Sequence, residues 1–277
     1  MANLTPKVIS VLNMKGGVGK TTLSVNLSYI LSNFHNNKVL LIDIDPQFNA
    51  TQYLVSQTDI VNHFRTKKTV LDIIMPQKEE QISLVGKKKN KISVPKLDDY
   101  IINISKTTRG QFDIIPSTIN LIEIENSERG SENHLNKFIK KHCKHYDYII
   151  IDCPPTIGIH TLSAYLASTY YLIPVKPDYL SSLGLSLLES ALEKYRRAHS
   201  HRLKSLGLVF TLVDLRPGLT FQIMKDMKNA GRECLTAYSS QSTQVAQSVT
   251  NMKNFYSYSG RYQTEFKDIA KELLTKI

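Results

Sequence analysis

Near the start of the chain, the stretch NMKGGVGKTT (residues 13–22) holds three glycines and a valine between two lysines, Lys15 and Lys20. Glycines permit a turn so tight that successive backbone N–H groups converge, and a helix starting directly after it adds its own unpaired N–H groups. The N–H groups of Gly16, Gly17, Val18 and Gly19 are therefore expected to hold a phosphate. Lys20 is expected to reach the β- and γ-phosphates and the Thr21 hydroxyl to ligate Mg²⁺, with Thr22 beside them in the first helical turn. The common form of this loop has a glycine five residues before Gly19, where Met14 stands instead. Lys20 already supplies the neutralising charge, so Lys15 needs a separate explanation.

A second group of candidates is acidic. Asp43 and Asp45 close the apolar run KVLLIDIDP (38–46), and Asp152 closes YIIIDCPP (148–155). Strand alternation predicts Asp43 and Asp45 on one face, at the carboxyl end where ligands gather in open α/β sheets. A carboxylate buried at a strand end needs a partner, and a metal ion is the natural one for Asp152.

These residues need a scaffold, and the pattern supplies it. Apolar runs at 7–13, 38–46, 111–116, 146–155, 169–175 and 206–213 predict strands. Helical periodicity predicts helices over 21–34, 131–145, 182–198, 219–230 and 264–277. Strands that are apolar throughout and alternate with helices imply an α/β fold, a mostly parallel twisted sheet covered on both faces. Residues 1–277 are expected to form one domain, with a basic insertion at about 77–108 that contains GKKKNK.

Composition narrows the setting. The 35 Lys and Arg against 24 Asp and Glu leave a formal charge of +11, which favours a polyanionic partner. Three scattered cysteines give neither a disulfide framework nor paired metal ligands. No apolar run approaches the ~18–20 residues of a membrane span, and the first residues lack a signal-peptide pattern. A cytoplasmic protein is expected.

The loop KGGVGKTT with its additional Lys15 resembles the deviant Walker A loop of the ParA/MinD family of ATPases. In that family the first lysine crosses a dimer interface to the partner's nucleotide. The resemblance therefore implies ATP and Mg²⁺ as cofactors, and it gives Lys15 the task of an arginine finger supplied in trans. It makes Lys15, Lys20 and Asp45 the catalytic residues, with Asp45, in the family's D-x-D-P-Q segment, positioning or activating the attacking water. Asp43 is implied to support the metal and the loop, and Asp152, in the Walker B position, to hold Mg²⁺. The segments at 69–74, 112–118 and 171–185 also resemble ParA segments in matching order. The likeness fades after residue 213: the stretch 238–256 lacks the proline and arginine of the family's adenine-framing element.

Three activities are compatible with such a chain. A ParA/Soj-type partition ATPase would dimerise on ATP, bind DNA non-specifically on the nucleoid, and be released when a ParB-like centromere-binding partner stimulates hydrolysis. A MinD-type ATPase would use the same switch at a membrane. A redox relative such as the nitrogenase iron protein would need paired cluster cysteines, and Cys153 has no mate in a functional segment. The last apolar helix, 264–277, carries a nearly neutral polar face and is expected to pack on the sheet. Basic clusters at Lys87, Lys88, Lys89 and Lys91, along Lys137, Lys140, Lys141 and Lys144, and at Arg196, Arg197, Arg202 and Lys204 favour DNA. Only six residues precede the first strand, so no amino-terminal helix-turn-helix is expected.

Overall fold

The strands run side by side in the order β3-β4-β2-β5-β1-β6-β7-β8, a single eight-stranded sheet. They are β1 (Lys7–Val11), β2 (Lys38–Asp43), β3 (Ile102–Lys106), β4 (Gln111–Ile115), β5 (Tyr148–Asp152), β6 (Tyr170–Val175), β7 (Lys204–Val213) and β8 (Cys234–Ser240). Every pairing is parallel except that of β3 with β4. The computed structural model describes residues 5–76, 96–179, 181–216, 218–243 and 260–277.

Alternation along each strand feeds two separate cores. In β5, Ile149 and Ile151 face one side, while Tyr148 and Ile150 face the other. The first side is covered by α4 (Val70–Ile74), α5 (His134–His142), α6 (Ile159–Ala167), α7 (Ser181–His199) and α8 (Leu219–Asn229). The second is covered by α1 (Lys20–Asn33), α2 (Asn49–Leu54), α3 (Gln57–Thr66) and α9 (Arg261–Leu274). Two covered faces are why these strands read as unbroken apolar runs.

Helix α1 is buried along nearly its whole length, from Leu23 to Ser32. It tolerates serines there because Ser24 and Ser28 donate their hydroxyls to the carbonyls of Lys20 and Ser24, four residues back. Helix α9 spends its apolar face on the same core, burying Phe266, Ile269, Ala270 and Leu273. The expectation of a packed last helix holds, and its apolar stripe is occupied by α1 and β8.

The stretch expected as a basic insertion divides in two. Residues 77–95, which include Lys87, Lys88, Lys89 and Lys91, lie outside the described residues. Residues 96–108 hold a 3-10 turn, Leu97–Asp99, and the antiparallel edge strand β3. An edge strand needs only one apolar face, so INISK lacks the continuous apolar signal of its neighbours.

Candidate functional site

The loop after β1 is fixed at three points. The Asn13 side-chain amide donates to the Pro174 carbonyl at 2.7 Å, and its Oδ1 accepts from the Lys15 N–H at 2.9 Å. Thr211 Oγ1 donates to the Val18 carbonyl at 2.6 Å, tying the loop to β7. Gly17 and Gly19 adopt φ of 70° and 79°, a left-handed region that costs other residues about 1–2 kcal/mol. Helix α1 follows with Gly19 as its N-cap, no capping side chain and no acid in its first turn. Its first N–H groups and the positive end of its dipole are thereby left for an anion.

Lys20 is buried, and its Nζ donates to the Lys15 carbonyl at 3.1 Å. Burial pulls its pKa down, opposed by the charges of Asp152 and Asp45. Asp152 is also fully buried; Ser24 Oγ donates to its Oδ1 and Thr21 Oγ1 to its Oδ2, both at 2.8 Å. Asp43 stands beside it in register across β2 and β5. Burial pushes both carboxyls up; the Asp152 charge adds to this at Asp43. At Asp152 the hydrogen bonds from Thr21 and Ser24 partly offset it.

Buried carboxylates held with hydroxyl donors suit a hard divalent cation. Among the described residues, no group of three or more His, Cys, Asp or Glu is arranged to hold a metal. Mg²⁺ takes one or two carboxylates and fills its shell with water and phosphate oxygens, a demand that a carboxylate beside a hydroxyl can meet. Thr21 and Asp152 are the residues in position to hold it.

Of the two aspartates, only Asp43 belongs to the strand. The strand ends at Asp43, and Asp45 opens a turn in which Phe48 N–H donates to its carbonyl at 2.8 Å. Pro46 fits the second position of such a turn. Asp43 turns inward: its Oδ2 accepts from the N–H and hydroxyl of Thr51 at 2.9 and 2.8 Å, and its Oδ1 from the Asp45 N–H at 3.2 Å. Asp43 therefore braces the Asp45 loop from behind, and Asp45 reaches the surface of the site.

The site is a cleft of about 510 Å³ lined by Gly16, Gly17, Gly19, Lys20, Thr21, Thr22 and Asp45. Gln47, Asn49, Gln52, Tyr53, Pro155 and Leu212 complete it. These six were not expected from the sequence. Gln47 lies in the D-x-D-P-Q segment and was within reach of that motif; Gln52 and Tyr53 arrive on α2, and Leu212 from the end of β7, by tertiary folding alone.

A family model described as an AAA domain matches residues 6–205. The sporulation initiation inhibitor protein Soj of Bacillus subtilis is 35% identical over 231 residues, 82% of this chain and 81% of Soj. The chain belongs to the ParA family of P-loop ATPases. The chromosome partitioning protein ParA of Myxococcus xanthus is 28% identical over 226 residues, 80% of this chain and 70% of that protein. A plasmid partition protein from Borrelia burgdorferi, solved with AMPPNP, superposes with a TM-score of 0.78 at 24% identity, covering 98% of this chain and all of that one. A cobyrinic acid a,c-diamide synthase from Mycobacterium smegmatis, solved with an ATP analogue and magnesium, has the same fold, with a TM-score of 0.74 at 22% identity over 97% of this chain and 94% of that one.

In this ParA-family chain Lys15 is engaged by a carboxylate of the same chain. Lys15 Nζ lies 2.6 and 2.5 Å from the two carboxylate oxygens of Asp178, which also accepts from Ser181 Oγ at 2.9 Å. Partial burial raises the Asp178 carboxyl, but the hydrogen bonds from Lys15 and Ser181 outweigh it and leave the pKa below its ordinary value. Of the arginines proposed for DNA, Arg196 and Arg197 both pair with Glu193, at 2.6 and 2.8 Å, and Arg202 is exposed. Of the stretch 238–256, which lacks the family's adenine-framing residues, 244–256 lie outside the described residues.

Proposed function

We propose that the protein is a ParA-type partition ATPase that binds ATP and Mg²⁺ in the cleft at the phosphate loop and hydrolyses ATP slowly. In this reading ATP drives homodimerisation, the dimer binds DNA without sequence preference, and a ParB-like centromere-binding protein stimulates hydrolysis and release. The observation that carries it is the loop itself: Lys20, Thr21 and Asp152 form one connected site, with Lys15 at its rim. Support also comes from the relatives, a partitioning protein and a plasmid partition protein solved with an ATP analogue.

Chemically, Lys20 and the loop amides bind the phosphates, and Thr21 and Asp152 orient Mg²⁺, whose charge supplies electrostatic stabilisation when bound. Asp45 positions the attacking water, and Asp43 holds Asp45. Lys15 serves the nucleotide of the partner subunit. Its contact with Asp178 is partly exposed, with side-chain exposures of 28% and 34%. Such a pair is worth only about 0–1 kcal/mol, too little to keep Lys15 from the phosphates of a second nucleotide. The MinD-type alternative relied on the last helix, and the apolar face of that helix is packed against α1 and β8.

Lys15→Ala tests this assignment. The variant is expected to bind ATP, because Lys20 and the amides remain, yet to form no stable ATP dimer by light scattering and to lose DNA binding with it. Mixed with Lys20→Ala subunits, it should recover some turnover, since its intact cleft would meet the partner's Lys15. Full dimerisation and turnover by Lys15→Ala alone would return this lysine to a solvated loop residue.

Asp178→Asn gives a smaller, opposite effect. It keeps an acceptor for Ser181 but removes the charge that holds Lys15 in its own subunit. Dimerisation should need less ATP, by no more than about fivefold for a contact of this exposure. A variant that dimerises less readily than the wild type would show that the contact supports the interface.

A further inference from the structure

The described cations fall into two populations. Lys15, Arg196, Arg197, Arg216, Arg232, Arg261 and Lys276 each sit against a carboxylate. Others that are exposed have none, Arg202 and Lys204 among them, and a second set is drawn from these: Lys38, Lys106, Arg109, Lys140, Lys141 and Lys144. No ion pair among the described residues involves them.

Topology gathers this second set. Lys38 opens β2 and stands opposite Gln111 of β4, which in turn stands opposite Lys106 of β3. These residues form a row across three strands at the amino-terminal edge of the sheet. Arg109 lies in the β3–β4 hairpin, closed by Thr107 N–H donating to the Gly110 carbonyl at 2.9 Å. Gly110 seats that hairpin on the end of α1: a Cβ there would lie 2.1 Å from the Ser32 carbonyl oxygen. The carboxyl end of α5 supplies Lys140 and Lys141, with Lys144 just beyond it. It is fastened beside Lys38 through Asp147, whose N–H donates to the Lys38 carbonyl at 2.8 Å and whose Oδ2 accepts from the Lys38 N–H at 2.7 Å.

The nearby carboxylates neutralise this edge only in part. Asp147 accepts from that amide and keeps its charge beside Lys38. Asp113 is fully buried and accepts from the Tyr146 hydroxyl, Asn103 and Gln111. Asp98 is the remaining acid near His145. Burial lowers the pKa of His142 and His145, and the charges of Lys141 and Lys38 lower it further.

The geometry points to this amino-terminal sheet edge as the surface that holds duplex DNA, with Lys38, Lys106, Arg109, Lys140, Lys141 and Lys144 contacting backbone phosphates. The proposal rests on the partition reading for its partner and moves the contact away from Arg196 and Arg197, whose charge Glu193 partly cancels. Phosphate contact suits the surface better than membrane insertion. Leu135 and Ile139 of α5 point into the core, and the exposed Phe34 nearby lies under the Lys267 ammonium, 3.8 Å from its ring centre. With no free aromatic face at this edge among the described residues, a duplex fits better than a single strand.

The test compares Lys140→Glu/Lys141→Glu/Lys144→Glu with Arg196→Glu/Arg197→Glu, using random-sequence duplex DNA, ATP and a salt series read by fluorescence anisotropy. All of these side chains are exposed or half-exposed, and none lies in the nucleotide cleft, so ATP turnover without DNA should match the wild type. The triple variant should bind at least about tenfold more weakly at low salt. Its log–log salt slope should be shallower by about 2.7, or roughly 0.9 for each lost phosphate contact. The arginine pair should change both quantities less. A triple variant with wild-type affinity and slope, in a protein that does bind DNA, overturns the location and leaves the partition reading standing. Failure of the wild type to bind DNA with ATP overturns both. Binding to phosphatidylserine vesicles in place of DNA, lost in the triple variant, assigns the edge to lipid and overturns the proposal.

Discussion

Lys20→Ala is expected to leave a folded protein that binds no ATP at concentrations that saturate the wild type. Lys20 begins α1, and alanine is the best helix former, so the substitution does not disturb the helix. What it removes is a buried ammonium that faces Asp152 and Asp45. Without it, the phosphates of ATP would enter a cleft whose fixed charges are carboxylates. Truncating one partner of a buried, hydrogen-bonded charge pair costs about 2–5 kcal/mol of binding, roughly one to four orders of magnitude in affinity. Equilibrium binding of labelled ATP measures this directly, and circular dichroism confirms that the fold survives. Binding within a few-fold of the wild type would place the phosphates elsewhere and remove the basis of the nucleotide site.

The legibility of this molecule followed burial and sequence distance. KVLLID and YIIID read as strands because both faces are covered, so every position had to be apolar. INISK and CLTAYSS are β3 and β8, the two edges of the sheet, and their polar residues broke that signal. Helix α6, IHTLSAYLA, has too few polar positions to show a helical period and was missed. The loop lysines, Thr21 and Asp152 were legible because each lies in a contiguous motif. Asp178 was not linked to Lys15, since 163 residues separate them and only the adjacency of β1 and β6 brings them together. Asp43 and Asp45 were legible as a pair but their separate surroundings were not: Asp45 opens a turn closed by the Phe48 N–H, while Asp43 is held by Thr51 of α2.

That separation of the two aspartates sets the last expectation. Asp45→Ala should bind ATP with affinity close to the wild type but turn it over on the order of 10²–10⁴ times more slowly, the range for loss of a positioned acid–base group. Asp45 Oδ1 accepts from the Gln47 N–H at 2.9 Å, while its Oδ2 has no hydrogen bond among the described residues and lies in a residue that lines the cleft. One oxygen is thus anchored and the other left for a water. Asp45→Asn sharpens the test, because it can keep the anchor to Gln47 but cannot take a proton. Both variants should accumulate as long-lived ATP dimers in light scattering, since assembly precedes hydrolysis. Asp43→Ala should behave differently. It strips the acceptors from the buried N–H and hydroxyl of Thr51, each costing about 1–3 kcal/mol when left unpaired, so it should lower the melting temperature before any kinetic effect is read. If Asp45→Asn turns over normally while Asp43→Asn, with its fold intact, does not, the water is held from the inner aspartate and the roles of the two residues are reversed.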